Sequence, residues 1–354
     1  MKRLFFILLF VIAILNVSAR KSSLALKHKE LPISVIFDTD IGNDIDDALA
    51  LNMLFNYQKQ CKINLLGITI SKANPYVIEY VDGLCRFNNI FNIPLGYVYR
   101  GANPEDGKYI RQVLDTIIDG KKIIFPHRSF NDSLPQGYKL QRKLLANQLD
   151  TSVVMIVVGP ETNIANLLNS TPDEFSPLSG VELIKRKVKY LSVMGGLYSK
   201  DFDFPEWNII QDLKASRDVF TKWPRPIVAS GFEVGSKLLY PHQSILNDFK
   251  NSYKNPMCVS YKIYEKMPYD RQTWDLTSIL YAIEPNSGYF ELSVEGKITI
   301  DETGKSIFTP DIYHNHKYLI ISPSKINSTL NALVNRVVGN KTKSIQKKME
   351  KPIK

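Results

Sequence analysis

Apolar runs of strand length alternate with longer segments of helical period between residues 33 and 196. The run ISVIFDTD predicts a buried strand, DDALALNMLFNYQ predicts a helix, and INLLGITI predicts the following strand. The same order recurs as far as KYLSVMGG, and the strands are continuously apolar rather than alternating. Such strands are typical of a parallel sheet that helices cover on both faces. The pattern therefore predicts a doubly wound α/β fold with a mostly parallel sheet.

The pattern changes after residue 235. The segments YFELSVEGKITID and YLIISP predict further strands, and DETG between them predicts a turn, so we expect a small accessory β meander near the C-terminus. No linker rich in Gly, Ser or Pro and no repeat interrupts the sequence. We therefore predict one domain over residues 31–340, followed by a basic tail over residues 341–354.

The first residues have the pattern of an export signal. Lys2 and Arg3 precede the apolar run LFFILLFVIAIL, and small residues at Val17 and Ala19 suit signal peptidase. The run has 12 residues, whereas a spanning helix needs roughly 20. We therefore predict a signal peptide over residues 1–19 and an exported protein, periplasmic or secreted, with no stable membrane anchor after cleavage. An uncleaved anchor is the alternative.

Composition narrows the class of protein. The chain is 44% hydrophobic and 23% charged, which is typical of a globular protein with a core. Its three cysteines, Cys61, Cys85 and Cys258, have no paired short spacing; this argues against a disulfide framework and a zinc site but leaves one bridge possible. The net charge of +10 comes without a nucleic-acid-binding motif, so we expect no nucleic acid partner.

Polar residues and glycines follow the predicted strands at their carboxyl ends. Asp38 and Asp40 end the first strand, Asn74 follows the second, Gly159 ends VVMIVVG, and Met194 lies near the end of YLSVMGG. Ligands of such sheets bind beyond the carboxyl ends of the strands. The sequence therefore predicts a functional site at this rim of the sheet.

Five aspartates lie within ten positions at the start of this rim: Asp38, Asp40, Asp44, Asp46 and Asp47. Carboxylates packed this closely repel one another unless a cation or several donors lie among them. A set of oxygen ligands suits Ca²⁺ or Mg²⁺, and the five histidines have no zinc-site spacing. One or two of the acids could instead cap the helix that begins near Asp46.

The segment DTDIGNDIDDALAL resembles the N-terminal signature of the inosine-uridine-preferring nucleoside hydrolase family, usually written Asp-x-Asp-Pro-Gly-x-Asp-Asp-Ala. Ile41 stands where Pro is usual, and two extra residues between Gly42 and the paired aspartates leave Asp44 without a family role. Four further matches follow in the family's order, in LLGITISKAN, VVGPETNIA, VMGG with EWNIIQD, and WDLTSILYAI.

The resemblance implies a role for each matching residue. The implied calcium ligands are Asp40, Asp47, the main-chain carbonyl of Val158, and Asp275. The implied sugar-binding residues are Asp46, Asn74, Glu206 and Asn208, with Met194 lining the pocket and Asp38 in a supporting role. The resemblance also implies a small-molecule nucleoside substrate, and we expect a homo-oligomer of open subunit number.

The implied reaction is hydrolysis of the N-glycosidic bond of a ribonucleoside, which passes through an oxocarbenium-like sugar. Ca²⁺ can bind a water and the sugar diol together and lower the pKa of that water, while Asp40 accepts the proton. Together with the supporting role of Asp38, these requirements account for four of the five aspartates.

The leaving-group side departs from many family members, which have His before the last metal-binding Asp. Trp274 stands there, and indole is no general acid near neutral pH. A purine-preferring subgroup also has Trp, which stacks on the base, so the resemblance implies purine nucleosides. A second stacking aromatic is expected among Tyr97, Tyr99, Tyr198 and Trp207. A buried core tryptophan is the alternative for Trp274.

Two other functions remain open from the sequence. A protein that kept the calcium and ribose contacts but lost leaving-group activation would be a non-catalytic nucleoside- or sugar-binding protein. An apolar strand followed by Asp-x-Asp also begins haloacid dehalogenase-type phosphatases, with Asp38 as the nucleophile. That class needs Thr or Val where this chain has Gly42, and it leaves the later matches unexplained.

Overall fold

The strands of the computed structural model, which describes residues 31–129 and 134–339, have the following bounds. They are β1 (Ile33–Thr39), β2 (Ile63–Ile70), β3 (Leu95–Tyr97), β4 (Ile117–Ile118), β5 (Lys121–Lys122), β6 (Val153–Val157), β7 (Val188–Met194), β8 (Ile227–Ser230), β9 (Leu239–Tyr240), β10 (Arg271–Gln272), β11 (Glu291–Leu292), β12 (Gly296–Ile300), β13 (Ser306–Pro310) and β14 (His316–Ile320).

The helices lie mostly between these strands. They are α1 (Asp46–Lys59), α2 (Tyr76–Phe87), α3 (Ile110–Asp115), α4 (Gly137–Ala146), α5 (Thr162–Leu168), α6 (Gly180–Lys187), α7 (Trp207–Gln211), α8 (Leu213–Lys222), α9 (Phe232–Gly235), α10 (His242–Asn247), α11 (Pro256–Tyr264), α12 (Trp274–Ile283) and α13 (Ile326–Val338). The predicted signal peptide, residues 1–19, and the predicted basic tail, residues 341–354, lie outside the described residues.

Ten strands form one sheet in the order β13-β12-β14-β8-β7-β6-β1-β2-β3, with β11 paired to β14. From β14 through β8 to β3 the neighbouring strands are parallel. The chain runs outward from β1 to β3 and then returns to β6 on the other side of β1, so the strand order reverses between β1 and β6. In open α/β sheets this reversal opens a crevice at the carboxyl ends of the strands.

Two hydrophobic cores flank the sheet because successive side chains of a strand point to opposite faces. Val35 and Phe37 of β1 pack in one core with α1, α2 and α12. Ile36 packs in the other with α5, α6 and α8. All three side chains are at most 1% exposed, and burying each contributes on the order of 2 kcal/mol. The doubly wound α/β prediction is confirmed.

The antiparallel strands near the C-terminus continue the main sheet. β12 and β13 form a hairpin around the turn predicted at DETG, and β12 also pairs with β14. β14 pairs with β8 in parallel. Without this pairing, the edge of β8 would leave a row of backbone N–H and C=O groups without partners. The C-terminal strands therefore cover one edge of the sheet.

The cysteines and helices settle two smaller questions for the described residues. Cys61, Cys85 and Cys258 are all free thiols, and the latter two are buried. Within residues 31–129 and 134–339, no helix is both long and apolar enough to cross a bilayer.

Candidate active site

The site forms where β1 and β6 end and where α1 and α12 begin. The first turn of α1 carries Asp46 and Asp47, and the first turn of α12 carries Asp275. Helix N-termini favour negative charge because their backbone N–H groups lack partners within the helix. Val158 directly follows β6, and its N–H donates to the Asp38 carbonyl across the strand ends at 2.9 Å.

Asp46, Asp47 and Asp275 form the tightest group of acids. All three are buried, and each offers an oxygen within 4.8 Å of the others. Burial, then the charges of neighbouring carboxylates, raises the pKa of Asp47 and Asp275 well above the ordinary value, and burial with the charge of Asp44 does the same for Asp46. Hydrogen-bond donors offset this burial and charge repulsion only in part: Thr39 donates to Asp47 at 2.5 Å, and the Asp275 N–H donates to Asp46 at 3.1 Å. Three buried carboxylates of this kind fit a hard divalent cation.

The carboxylates of this group differ in one member from those of the predicted calcium set. The group includes Asp46, which the resemblance assigned to sugar, and it does not include Asp40, which was assigned to metal. Asp40 lines the same cavity and accepts a hydrogen bond from Asn103 Nδ2 at 2.6 Å. Burial raises the pKa of Asp40 to about 7, against the opposing charge of Lys72.

Lys72 and Asn103 were missed from the sequence. The Lys72 side chain is fully buried, and its Nζ donates to Asn43 Oδ1 at 2.7 Å and to the Asn103 carbonyl at 3.0 Å. It therefore joins the loop after β1 to the loop after β3 and places a cation near Asp40. A lysine two residues after the apolar strand INLLGITI was the signal that could have found it.

Asp38 lies under the site rather than in it. Its Oδ2 accepts hydrogen bonds from Thr69 at 2.5 Å, Asn163 at 2.9 Å and Gln141 at 3.3 Å. These contacts tie β1 to β2, α4 and α5, which fits the supporting role that the resemblance implies. Burial also raises the pKa of Asp38 to about 7. The carboxylate does not line the cavity, so it is not placed to act as a phosphatase nucleophile.

Every predicted site residue except Asn74 lines one cavity of about 520 Å³. The Asn74 amide instead holds the loop after β3, with Nδ2 donating to the carbonyls of Pro104 and Glu105 at 3.2 Å and to Asp106 Oδ1 at 3.1 Å. Its Oδ1 accepts from the Tyr76 N–H at 3.0 Å. Asn74 therefore does not line the cavity itself, and its contacts hold the loop that places Glu105 and Asp106 in the cavity wall.

Glu206 and Asn208 lie at the start of α7. Glu206 is the N-cap, and its carboxylate accepts from the N–H groups of Asn208 at 3.1 Å and Gly196 at 3.2 Å. Burial raises its pKa to about 7 against these hydrogen bonds. Asn208 Nδ2 lies 3.2 Å from the Val158 carbonyl and 3.2 Å from both the carbonyl and the sulfur of Met194. The ends of β6 and β7 and the N-terminus of α7 are therefore joined at one polar point.

Aromatic residues form another wall of the cavity. Trp274 stacks on Phe232 with 5.4 Å between ring centroids, and its Nε1 donates to the Phe232 carbonyl at 2.9 Å. Trp207, which is 54% exposed, and Tyr264 complete this wall. Trp274 therefore lies in the cavity wall rather than in the core.

Of the four candidates for a second aromatic, the cavity wall includes Trp207 alone among the described residues. Tyr97 is buried, and Tyr198 stacks on Tyr318 at 4.8 Å. Phe232 and Tyr264 were not predicted, because nothing in their local sequence marks them as neighbours of the strand ends.

Asp44, which had no role in the sequence interpretation, pairs with Arg271. Arg271 Nε donates to Asp44 Oδ1 at 2.9 Å, and its Nη2 donates to Oδ2. Burial opposes the charge on Arg271, but the Asp44 carboxylate outweighs it and raises the pKa of the guanidinium above its ordinary value. Both residues line the cavity.

Loop packing keeps Asp44 close to this wall. The Lys108 N–H donates to the Gly42 carbonyl at 3.0 Å. Gly107 has φ +74°, and a Cβ there would lie 2.2 Å from the Gly42 oxygen, so a glycine is needed for this approach. The two extra residues after Gly42 are thus covered by the loop after β3.

Comparison with known proteins identifies the family. The family described as inosine-uridine preferring nucleoside hydrolase matches residues 35–329. The protein named pyrimidine-specific ribonucleoside hydrolase RihA from Enterobacter sp. (strain 638) is 28% identical over 210 residues, which cover 58% of this chain and 61% of that relative. The match thus spans about three fifths of the relative's length.

Solved structures share the fold at lower identity. The purine-preferring ribonucleoside hydrolase from Gardnerella vaginalis has a TM-score of 0.63 at 16% identity, covering 86% of this chain and 98% of that one. An inosine-guanosine nucleoside hydrolase has a TM-score of 0.63 at 19% identity, covering 87% and 99%. Because the family match extends over most of the sequence and includes the aspartate-rich segment, the chain belongs to the inosine-uridine preferring nucleoside hydrolase family.

Proposed function

We propose that the protein is a calcium-dependent hydrolase that cleaves the N-glycosidic bond of purine ribonucleosides to free base and ribose. The observation that carries the proposal is the buried group of Asp46, Asp47 and Asp275 in a cavity with an aromatic wall. A cation site beside an aromatic wall suits a ligand with a polar sugar and a heteroaromatic base.

The residues of the cavity would have separate roles in binding and catalysis. Asp40, Asp47, Asp275 and the Val158 carbonyl are the proposed calcium ligands. Bound Ca²⁺ would supply the positive charge that lowers the pKa of a water and holds the ribose diol. Asp40 accepts the proton of the attacking water. Asp46, Glu206 and Asn208 bind the ribose hydroxyls, and Met194 lies against the sugar.

The preference for purines rests on the aromatic wall. Trp274, Phe232 and Trp207 all line the cavity and offer several aromatic rings to the fused rings of a purine, and stacking on an aromatic side chain is worth about 1–3 kcal/mol per base. The relatives do not choose between substrates, because the RihA protein is named pyrimidine-specific and the Gardnerella protein purine-preferring.

A nucleoside panel with ribose as the readout tests the proposal. Purified mature protein with Ca²⁺ is expected to release ribose from inosine and guanosine, to lose this activity with a calcium chelator, and to regain it when Ca²⁺ is restored. Binding of nucleosides without ribose release would overturn the hydrolase and favour the non-catalytic binding protein. Activity that survives complete chelation would overturn the calcium requirement.

Replacing Trp274 tests the role of the aromatic wall. Trp274→Ala is expected to lower kcat/KM for inosine by about 10- to 30-fold, in line with the loss of one stacking contact. The loss should be under about 3-fold for p-nitrophenyl riboside, whose leaving group needs no help to depart. Equal losses on both substrates would remove Trp274 from leaving-group binding.

We also propose that the protein is exported, on the evidence of the N-terminal segment alone. Expression of the full chain in a bacterial host should give a periplasmic or secreted product whose N-terminus follows residue 19. A product that keeps residues 1–19 and stays with the membrane fraction would favour the uncleaved anchor.

A further inference from the structure

The leaving-group side of the cavity has no histidine in its wall among residues 31–129 and 134–339. Two cationic side chains, Lys108 and Arg271, line it within the same ranges. Lys108 Nζ lies 4.7 Å from the centroid of the Tyr264 ring and 3.4 Å from its hydroxyl. Arg271 is on β10, and its guanidinium lies over the Trp274 and Tyr264 rings of the aromatic wall.

The Arg271 guanidinium is hydrogen-bonded along one edge and is partly shielded from water. The guanidinium carbon lies 5.2 Å from the Trp274 ring and 5.1 Å from the Tyr264 ring, and the side chain is 19% exposed. Its Nε and Nη2 both donate to Asp44. Within the described part of the chain the guanidinium makes these hydrogen bonds and none through Nη1; since Arg271 lines the cavity, Nη1 is available to a ligand there.

Asp44 is itself fixed, so the guanidinium is held in a set orientation. Its Oδ1 accepts from the Ile45 N–H at 2.6 Å, just before α1 begins. Its main-chain carbonyl accepts from the Tyr109 hydroxyl at 3.0 Å. Asp44 lies in the two-residue extension of the aspartate signature, and Arg271 lies 227 residues away. Two hydrogen bonds to one carboxylate fix the plane of the Arg271 guanidinium. The direction of its Nη1 N–H groups is then fixed as well, because the guanidinium is planar and its nitrogens do not rotate independently.

We propose that Arg271, oriented by Asp44, binds the leaving base through Nη1 and selects bases that carry an exocyclic carbonyl oxygen, such as 6-oxopurines. This rests on the proposed hydrolysis. The donor matches a carbonyl acceptor, whereas the amino group of adenine at the same place is itself a donor and would leave both groups unpaired.

The same contact strengthens as the bond breaks. The glycosidic bond cleaves with both electrons going to the base nitrogen, the water oxygen bonds to the sugar carbon, and the water's proton goes to Asp40. Negative charge then spreads from the nitrogen to the carbonyl oxygen, where Arg271 meets it. Arg271 stays protonated throughout, and the released base takes its proton from solvent.

Three substrates test the proposal: inosine, adenosine and p-nitrophenyl riboside. Arg271→Ala is expected to lower kcat/KM for inosine by about 100-fold, the usual effect of removing one such donor. Losses for adenosine and p-nitrophenyl riboside should stay below about 3-fold, since neither offers the carbonyl acceptor. Asp44→Asn should lower inosine turnover by about 10-fold in the same selective way, because the fork loses its charged anchor.

A matched control and a rescue separate this contact from general damage. Arg86→Ala removes another guanidinium that lies over an aromatic ring, that of Phe91 at 5.6 Å, outside the cavity, and should change no substrate. Added guanidinium ion should restore part of the inosine activity of Arg271→Ala and none to wild type. Melting temperatures establish that each variant is folded.

The outcomes are distinct. Equal losses of Arg271→Ala on all three substrates, or a wild-type preference for adenosine over inosine, would overturn the inference while the hydrolase proposal stands. If wild type releases no ribose from any substrate, p-nitrophenyl riboside included, the proposed function itself fails and the inference falls with it.

Discussion

Helices α1 and α12 are in contact. The acids at the two ends of this helix pair have opposite electrostatic surroundings. At the N-terminal end, Asp46, Asp47 and Asp275 face one another with raised pKa values. At the other end, Tyr57 of α1 donates to Glu284, which directly follows α12, at 2.9 Å. There the acid has a full set of partners.

Glu284 is bound by a fork from α13. Arg336 Nε and Nη2 donate to its two oxygens at 2.7 and 3.0 Å, and Lys62 Nζ lies 3.4 Å away. Burial opposes its ionisation, but the hydrogen bonds from Arg336 and Tyr57 outweigh this and lower its pKa to about 2. Arg336 thus neutralises an acid that serves the fold. Within the described residues no arginine hydrogen-bonds to Asp46, Asp47 or Asp275, where a cation is expected to bind, and Arg271 pairs with the neighbouring Asp44 instead.

The largest expected effect comes from the group of Asp46, Asp47 and Asp275. Asp47→Asn should lower kcat/KM for inosine by about 1,000-fold, because a proposed metal ligand loses its charge. Without Ca²⁺ the variant should melt at or above the wild-type temperature, since one repelling carboxylate is gone. Asp270→Asn, the same change on a half-exposed acid beside His242, is the control and should change neither property. A lower melting temperature of Asp47→Asn without Ca²⁺ would mean that the group stabilises the fold by itself.

Calcium should act on one end of the helix pair only. At roughly 1,000 times its Kd, Ca²⁺ is expected to stabilise wild type by about 4 kcal/mol, because it binds the folded state. Calorimetry with Ca²⁺ and with chelator measures this shift. Asp275→Asn should lose most of it, whereas Glu284→Gln should keep it in full. A shift retained by Asp275→Asn would place the cation elsewhere.

The paired acid should matter for stability and not for turnover. Glu284→Gln is expected to lower the free energy of unfolding at pH 7 by about 2 kcal/mol, allowing for solvent screening of this partly exposed pair. Because its folded pKa lies below the unfolded value of 4.5, the contribution is complete above pH 4.5 and is lost as the pH falls towards 2. Urea unfolding at several pH values should show the two proteins converging over that range.

Two outcomes would contradict this picture of Glu284. A difference in stability that stays constant down to pH 2 would assign it to packing. A change in kcat/KM would mean that the two ends of the helix pair are coupled.

The smallest effect is expected from an exposed pair. Lys214 contacts Asp218 at 3.1 Å and its side chain is 88% exposed. Lys214→Ala should change the free energy of unfolding by less than about 0.5 kcal/mol, measured by urea unfolding, because exposed ion pairs contribute little. An effect as large as that of Glu284→Gln would show that burial does not separate the two kinds of pair.

The elements closest to the aspartate signature followed from the sequence. The segment INLLGITI was predicted as a strand and is β2, Ile63–Ile70, and the helix predicted from DDALAL begins at Asp46. Continuous apolar strands flanked by helices have few alternatives to a parallel sheet between two helical layers. The pairing of the C-terminal strands did not follow, because which edge they cover depends on the rest of the sheet.

The arrangement of the site also followed from the sequence only in part. The order of the family motifs was enough to gather nine of the ten predicted residues in one cavity. Asn74 was the exception, since its amide is taken by the loop at residues 104–106. That loop's path cannot be read from an isolated strand end.

The sequence by itself determined the family, the α/β fold and the carboxylates at the strand ends, because each of these depends on spacing within a strand, a turn or the first turn of a helix. The tertiary structure alone decided what surrounds them: Asn103 on Asp40 across 63 residues, Lys72 between two loops, and Arg271 on Asp44 across 227 residues. Such contacts form when the sheet closes and brings distant loops together, and local preferences of the chain carry no record of them.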